Sequence, residues 1–469
     1  MSTVIHDEHG SPMTGSTESV RVYNHAIDQL LRFHPDVLIA ADALANDHST
    51  VPMGQALIAY LHLMSTDTGD LAGAIGAANN LRATARHPRE LLHSSAIDAW
   101  LGGEWAEASE ILDVALQRWP TDLLALALGH QLDFFLGDAA NLRDRVGRSL
   151  PEFDPSHPHV GFVRGMHSFG LEEAGHYGAA EDEGLAAIAA NRDDVWAVHA
   201  VVHTYEMQGR VDDGLRFMRS READWGTGNL FTVHNWWHLA LYCLEAGDLQ
   251  RALEIYDGQL HHDGSAGVPI EMLDATALLW RFLLDGADTG DRFAPLADAW
   301  SLKLADDPWS AFNDLHAVMA NVGSGRLDEA RAVLERSRAY AAHGGGTNRW
   351  MTDQIGIPAS DAVIAFGEGR YGEAVASLMP IRRHLHRFGG SHAQRDALQR
   401  TLLEAALRAG EHELARALTA ERLSVRDSSN YNWRQRARAL HATGDEAAAT
   451  AAEARADRNR DRFAGALSD

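Results

Sequence analysis

A short phrase recurs down this chain at intervals of 34 to 44 residues: a glycine, two further residues of which the second is usually aromatic or apolar, and an alanine five places after the glycine. It reads Gly103-Glu-Trp-Ala-Glu-Ala108, Gly175-His-Tyr-Gly-Ala-Ala180, Gly247-Asp-Leu-Gln-Arg-Ala252 and Gly325-Arg-Leu-Asp-Glu-Ala330. It returns as Gly369-Arg-Tyr-Gly-Glu-Ala374, Gly410-Glu-His-Glu-Leu-Ala415 and Gly444-Asp-Glu-Ala-Ala-Ala449, with weaker forms at Gly137, Gly209 and Gly286. Each copy sits between two apolar helical runs. The glycine permits a tight turn, and the small alanine lets the second helix approach its neighbour. A two-helix unit cannot bury its own apolar face, so such units stack into a continuous array. The expectation is an all-α solenoid occupying residues 19–469 as one domain. Residues 1–18 are polar and rich in Gly, Ser and Thr, which predicts a disordered tail rather than a signal peptide.

The period and the turn chemistry are those of tetratricopeptide-like hairpins. Counting back from each turn glycine gives the residues of the first helix that face the concave groove. Around Gly209 these are Trp196, His199, His203, Glu206 and Met207; around Gly247 they are His234, Trp237, Leu241, Leu244 and Glu245, with His238 alongside. The other repeats add Glu172, Thr276, Trp280 and, nearby, His316. The groove so drawn is lined by aromatics, histidines and carboxylates, with hardly any Lys or Arg.

His199, His203 and Glu206 share one face of a helix at i, i+4 and i+7, inside an apolar run. Ionisable groups in such a setting are costly unless paired, ligated or used. Two readings are functional. Glu206 orients His203 for acid–base work, with His199 and His238 as further catalytic groups. Alternatively, the two imidazoles ligate a divalent ion such as zinc, with Glu206, His234 or His238 completing the set. The bland reading is a satisfied polar network between helices. On the acid–base reading Trp196, His234, Trp237, Trp280 and His316, with Glu172, hold a substrate, and Trp236 is core. Glu172 stands beside Glu173 and is placed to partner His203.

Gly389-Gly-Ser-His-Ala-Gln-Arg-Asp396 reads as a helix start, with Ser391 as N-cap and Gln394 completing a capping box. Its backbone N–H groups, with His392 and Arg395, offer an anion contact. Bringing this segment to the 160–240 repeats requires the solenoid to curl around a central pocket.

Charge and cysteine usage narrow the partners. Lys and Arg total 41 against 66 Asp and Glu, a formal charge of −25, so a nucleic acid backbone would be repelled. No apolar run is long enough for a membrane span. Cys243 is the only cysteine, which excludes an intramolecular disulfide and suits a reducing, cytoplasmic setting. Two functions remain. One is a small-molecule-binding repeat protein with a His/Glu/Trp pocket, extending to an enzyme of hydrolase, lyase or isomerase type. The other is a scaffold that grips a peptide or protein partner in its groove, for which the scarcity of Lys and Arg argues against acidic peptides.

Several long strings carry a resemblance: Trp119-Pro-Thr-Asp-Leu-Leu-Ala-Leu, Gly165-Met-His-Ser-Phe-Gly-Leu-Glu-Glu, Trp196 to Arg210, His234-Asn-Trp-Trp-His-Leu-Ala-Leu, Leu278-Leu-Trp-Arg281 and Gly389 to Asp396. Over roughly residues 20–430 the chain resembles the tetratricopeptide-repeat protein 38 family, departing at Phe293, where Trp is the expected residue. The resemblance implies a helical-repeat fold and no established common reaction.

Overall fold

The computed structural model describes residues 3–304, 308–343 and 345–468. The chain is an all-α helical-repeat solenoid built from antiparallel helical hairpins, with one short β-hairpin at its N-terminus. The ten turn glycines named above all have φ between 66° and 82°. L-residues enter that left-handed region only at a cost, which explains why glycine recurs there and nowhere else so regularly. One hydrophobic core cluster runs from Met13 to Ala466.

The solenoid closes on itself. Helix His392–Arg408 packs against Val195–Met207 and Pro269–Leu284. Trp280 Nε1 donates to Thr401 Oγ1 at 2.9 Å, and Ser428 Oγ donates to the carbonyl of Gly209 at 2.6 Å. Two turn glycines are needed twice over for this closure: a Cβ on Gly137 would overlap the His386 carbonyl, and one on Gly209 would collide with the Ser428 hydroxyl.

The N-terminus departs from expectation. Strands Thr3–His6 and Pro12–Gly15 pair antiparallel instead of forming part of a disordered tail; Met1 and Ser2 lie outside the described residues. Asp7 at the turn pairs with Arg89 at 2.9 Å, and Arg89 also grips Asp122 at 2.6 Å, all three side chains being sealed from solvent. Thr14 N donates to Glu90 Oε1 at 2.7 Å. Polar composition suggested solvation, but these polar groups have buried partners some eighty residues away, which a local reading misses.

Candidate functional site

Asp194 caps helix Val195–Met207 by accepting from Ala197 N, and the helix then runs almost entirely buried through His199 and His203. Helix Thr232–Glu245, from the next hairpin, brings His234 and His238 against it. All four imidazoles are at most 6% exposed. Each offers one ring nitrogen within 4.8 Å of the others. His234 Nε2 lies 3.1 Å from His199 Nε2 and 3.3 Å from His238 Nε2. Phe231 and Phe169 wall the cluster, with ring centroids 5.0 and 5.1 Å from that of His199.

Carboxylates stand behind the imidazoles. Asp274 Oδ2 is 2.7 Å from His234 Nδ1, and Glu206 Oε2 is 3.0 Å from His238 Nδ1. Glu172 Oε2 is 3.7 Å from His203 Nδ1, and neither nitrogen of His203 has a hydrogen-bond partner. Glu206 was expected to orient His203 on its own helix; it reaches across to His238 instead, leaving His203 to the side of Glu172. Burial, reinforced by the neighbouring imidazoles, holds His199, His203 and His238 well below the ordinary histidine value. Burial likewise pushes Glu206 up to about 7 and Glu172 well above the carboxylate range, the latter helped by Glu173.

The remaining expected residues divide. Trp237 is fully buried, stacked on His234 at 5.3 Å and close to His238, whereas Trp236 is half-buried, packs against the core and donates to the Gly226 carbonyl. Trp196 packs among Phe33, Phe169 and Phe231 beside His199. Trp280 is core, its one polar atom used by Thr401, so it has no face for a substrate. His316 Nδ1 donates to its own Phe312 carbonyl, 2.8 Å away, and the residue is not part of the imidazole cluster. Ser391 and Gln394 form the capping box. The anion contact at that helix start exists, but its carboxylate is internal. Glu173 accepts from His392 N at 3.0 Å and from Arg395 Nη2 at 3.2 Å. Although burial pushes the other way, His392 and Arg395 hold Glu173 below its usual range.

The concave face also holds arginines that register along the first helices did not foresee. Asp396 pairs with Arg400, Arg422 and Arg426 at 2.7, 2.8 and 2.9 Å. Arg281 lines the same cleft as Glu206 and Arg426. Its guanidinium donates to the carbonyls of Ala277 and Ala393 and lies 5.6 Å over the Trp237 ring, and no carboxylate pairs with it among the described residues. The free space of this cleft is about 20 Å³, room for one or two waters. Arg400, Arg422 and Arg426 escape a register-based reading because they come from helices that return across the groove. Asp274 and Arg281 were findable: they sit at i and i+7 of one apolar helix.

No protein-family profile matches the chain. Among solved structures it is similar to a human IFIT1 dimer with PPP-AAAA, at 11% identity and a TM-score of 0.40, covering 97% of this chain and 95% of that one. It is similar to the yeast Tom70 at 12% identity and a TM-score of 0.33, covering 96% and 94%. The P58(IPK) TPR domain follows at 11% identity and a TM-score of 0.22, covering 81% and 99%. None of the three reaches a TM-score of 0.5, and what they carry in those structures is a property of those proteins.

Proposed function

We propose that this chain is a helical-repeat scaffold that binds a protein or peptide partner by its C-terminal carboxylate, taken into the arginine cleft beside Glu206. One observation carries the reading: Arg281 is buried, lines the cleft and pairs with no carboxylate among the described residues, while three neighbouring arginines share Asp396. A desolvated guanidinium strongly favours a bidentate carboxylate. The formal charge of −25 repels a long acidic segment, so a single terminal carboxylate on an otherwise neutral or basic peptide suits the site better than an acidic tail.

The small-molecule and acid–base enzyme readings have less support. Ligand pockets typically offer about 300–1,000 Å³, and this cleft offers about 20 Å³. A carboxylate head fits where a whole organic substrate does not. Membership of the tetratricopeptide-repeat protein 38 family, supported by the strings quoted above, and a reducing cytoplasmic setting, supported by a lone buried Cys243, belong to the same reading. No helix among the described residues is long and apolar enough to cross a membrane.

The test uses a peptide library with free or amidated C-termini, read by fluorescence anisotropy. Free-acid peptides should bind at least tenfold more tightly than their amides, and Arg281→Met should erase that preference. Equal binding of acids and amides, or binding unaffected in R281M, rejects the reading. Competition by acetate or succinate alone at matching strength would replace it with a small-molecule site.

A further inference from the structure

We propose that His199, His203, His234 and His238 form a closed tetrahedral site for one divalent transition-metal ion, with Asp274 and Glu206 as positioning residues. The inference stands apart from the arginine cleft and does not depend on what binds there.

The argument starts from tautomers. An ionised carboxylate accepts hydrogen bonds and cannot donate them, so wherever Asp274 and Glu206 are ionised they require N–H on His234 Nδ1 and His238 Nδ1. A neutral ring with its proton on Nδ1 carries a lone pair on Nε2. The two Nε2 atoms nevertheless face each other at 3.3 Å. His199 can donate one proton to His234 across 3.1 Å, but that leaves the His234–His238 approach as two lone pairs in contact. A cation between the rings relieves that contact.

A metal ion satisfies the geometry. A bond of about 2.0–2.1 Å to imidazole nitrogen at a tetrahedral angle puts ligand atoms about 3.3 Å apart, which matches the separations of His234 from His199 and His238, 3.1 and 3.3 Å; all four donors lie within 4.8 Å of one another, and the remaining pairs would draw together on ligation. Imidazole ligands whose far nitrogen donates to a carboxylate are the recurring arrangement at such centres. His203 is the independent witness: it is fully buried, and neither ring nitrogen has a hydrogen-bond partner. Ligation gives that residue a role that no hydrogen bond supplies. A donor set of four imidazole nitrogens selects zinc or its first-row neighbours over magnesium or calcium. The set is closed and buried, which makes the ion a clasp between two hairpins and, through Asp274, a third helix.

The second histidine cluster, His9, His157 and His159, provides an internal control. The experiment takes the full chain, strips it with chelator, and titrates Co(II) while recording visible absorption. The expected result is one ion per chain with the intense bands of tetrahedral cobalt, displaced by zinc. H9A should leave this unchanged, H199A/H234A should abolish it, and Asp274→Asn should weaken uptake about 10–100-fold. The Asn variant keeps all four ligands, so it remains informative if the double variant does not fold. Failure of the folded chain to take up cobalt or zinc overturns the proposal. So does uptake that is unaltered in D274N.

Discussion

His234 and His238 present their Nε2 atoms to each other at 3.3 Å while the opposite nitrogen of each ring faces a carboxylate, Asp274 on one side and Glu206 on the other. The imidazoles come from two adjacent hairpins, Asp274 from a third, and Glu206 also borders the arginine cleft.

Because the ion binds the folded chain alone, its removal should lower the melting temperature. Stabilisation at a thousandfold excess over the dissociation constant is about 4 kcal/mol. Differential scanning calorimetry of stripped and zinc-loaded protein should show the loaded form melting several degrees higher, and H199A/H234A should show no zinc-dependent gain.

Arg89 holds the N-terminal hairpin through Asp7 and Asp122, all three side chains being buried. Removing one partner of a buried ionic network leaves the others uncompensated, at about 3–5 kcal/mol. Arg89→Met should therefore destabilise strongly and expose residues 3–15 to proteolysis, measured by urea melts and limited thermolysin digestion, for which Val4, Ile5 and Met13 offer sites. Cleavage in this segment at the rate of the unaltered chain would show that the pairing does not hold it.

The turn glycines separate backbone strain from closure. Gly325 has φ of 76° and open space around its missing side chain, so Gly325→Ala carries the conformational penalty alone, about 1 kcal/mol. Gly209 has φ of 68° and the Ser428 hydroxyl against it. Gly209→Ala should cost measurably more, and a Ser428→Ala background should remove the excess. Equal costs at both positions would show that the C-terminal hairpins do not press on this turn.

His130 sets a pH dependence. It is enclosed by Phe169 and Trp196, and burial, with Arg145 adding to it, lowers its value from 6.5 to about 3. Above pH 6.5 the ring is neutral in both folded and unfolded chains and contributes nothing. As pH falls below 6.5, the unfolded chain gains a proton that the folded one refuses, so stability declines until about pH 3. The limiting slope is about 1.4 kcal/mol per pH unit. His130→Gln should narrow the stability difference between pH 7 and pH 5 by roughly 2 kcal/mol in denaturant melts.

The fold was largely legible because it is written locally. Each turn glycine and its alanine announce a hairpin, and counting from those glycines is enough to put His199, His203, His234 and His238 on one face. The site was legible only as far as first helices supply it. Asp274 and Arg281 share an apolar helix from which the repeat register picks only Thr276 and Trp280, and Arg400, Arg422 and Arg426 come from segments about 160 to 230 residues further along than the histidines. Trp280 was misjudged because register gives direction but not depth: a groove-facing tryptophan becomes core once helix His392–Arg408 lies across it. The N-terminal hairpin was misread for a related reason, since its polar residues are satisfied by Arg89 and Glu90 rather than by water.

Zinc K-edge X-ray absorption of the loaded protein tests the central claim most directly. Four nitrogen scatterers at about 2.0 Å, with the outer-shell pattern of imidazole rings, are predicted. A first shell of mixed oxygen donors, or of six ligands, would contradict the tetrahistidine centre.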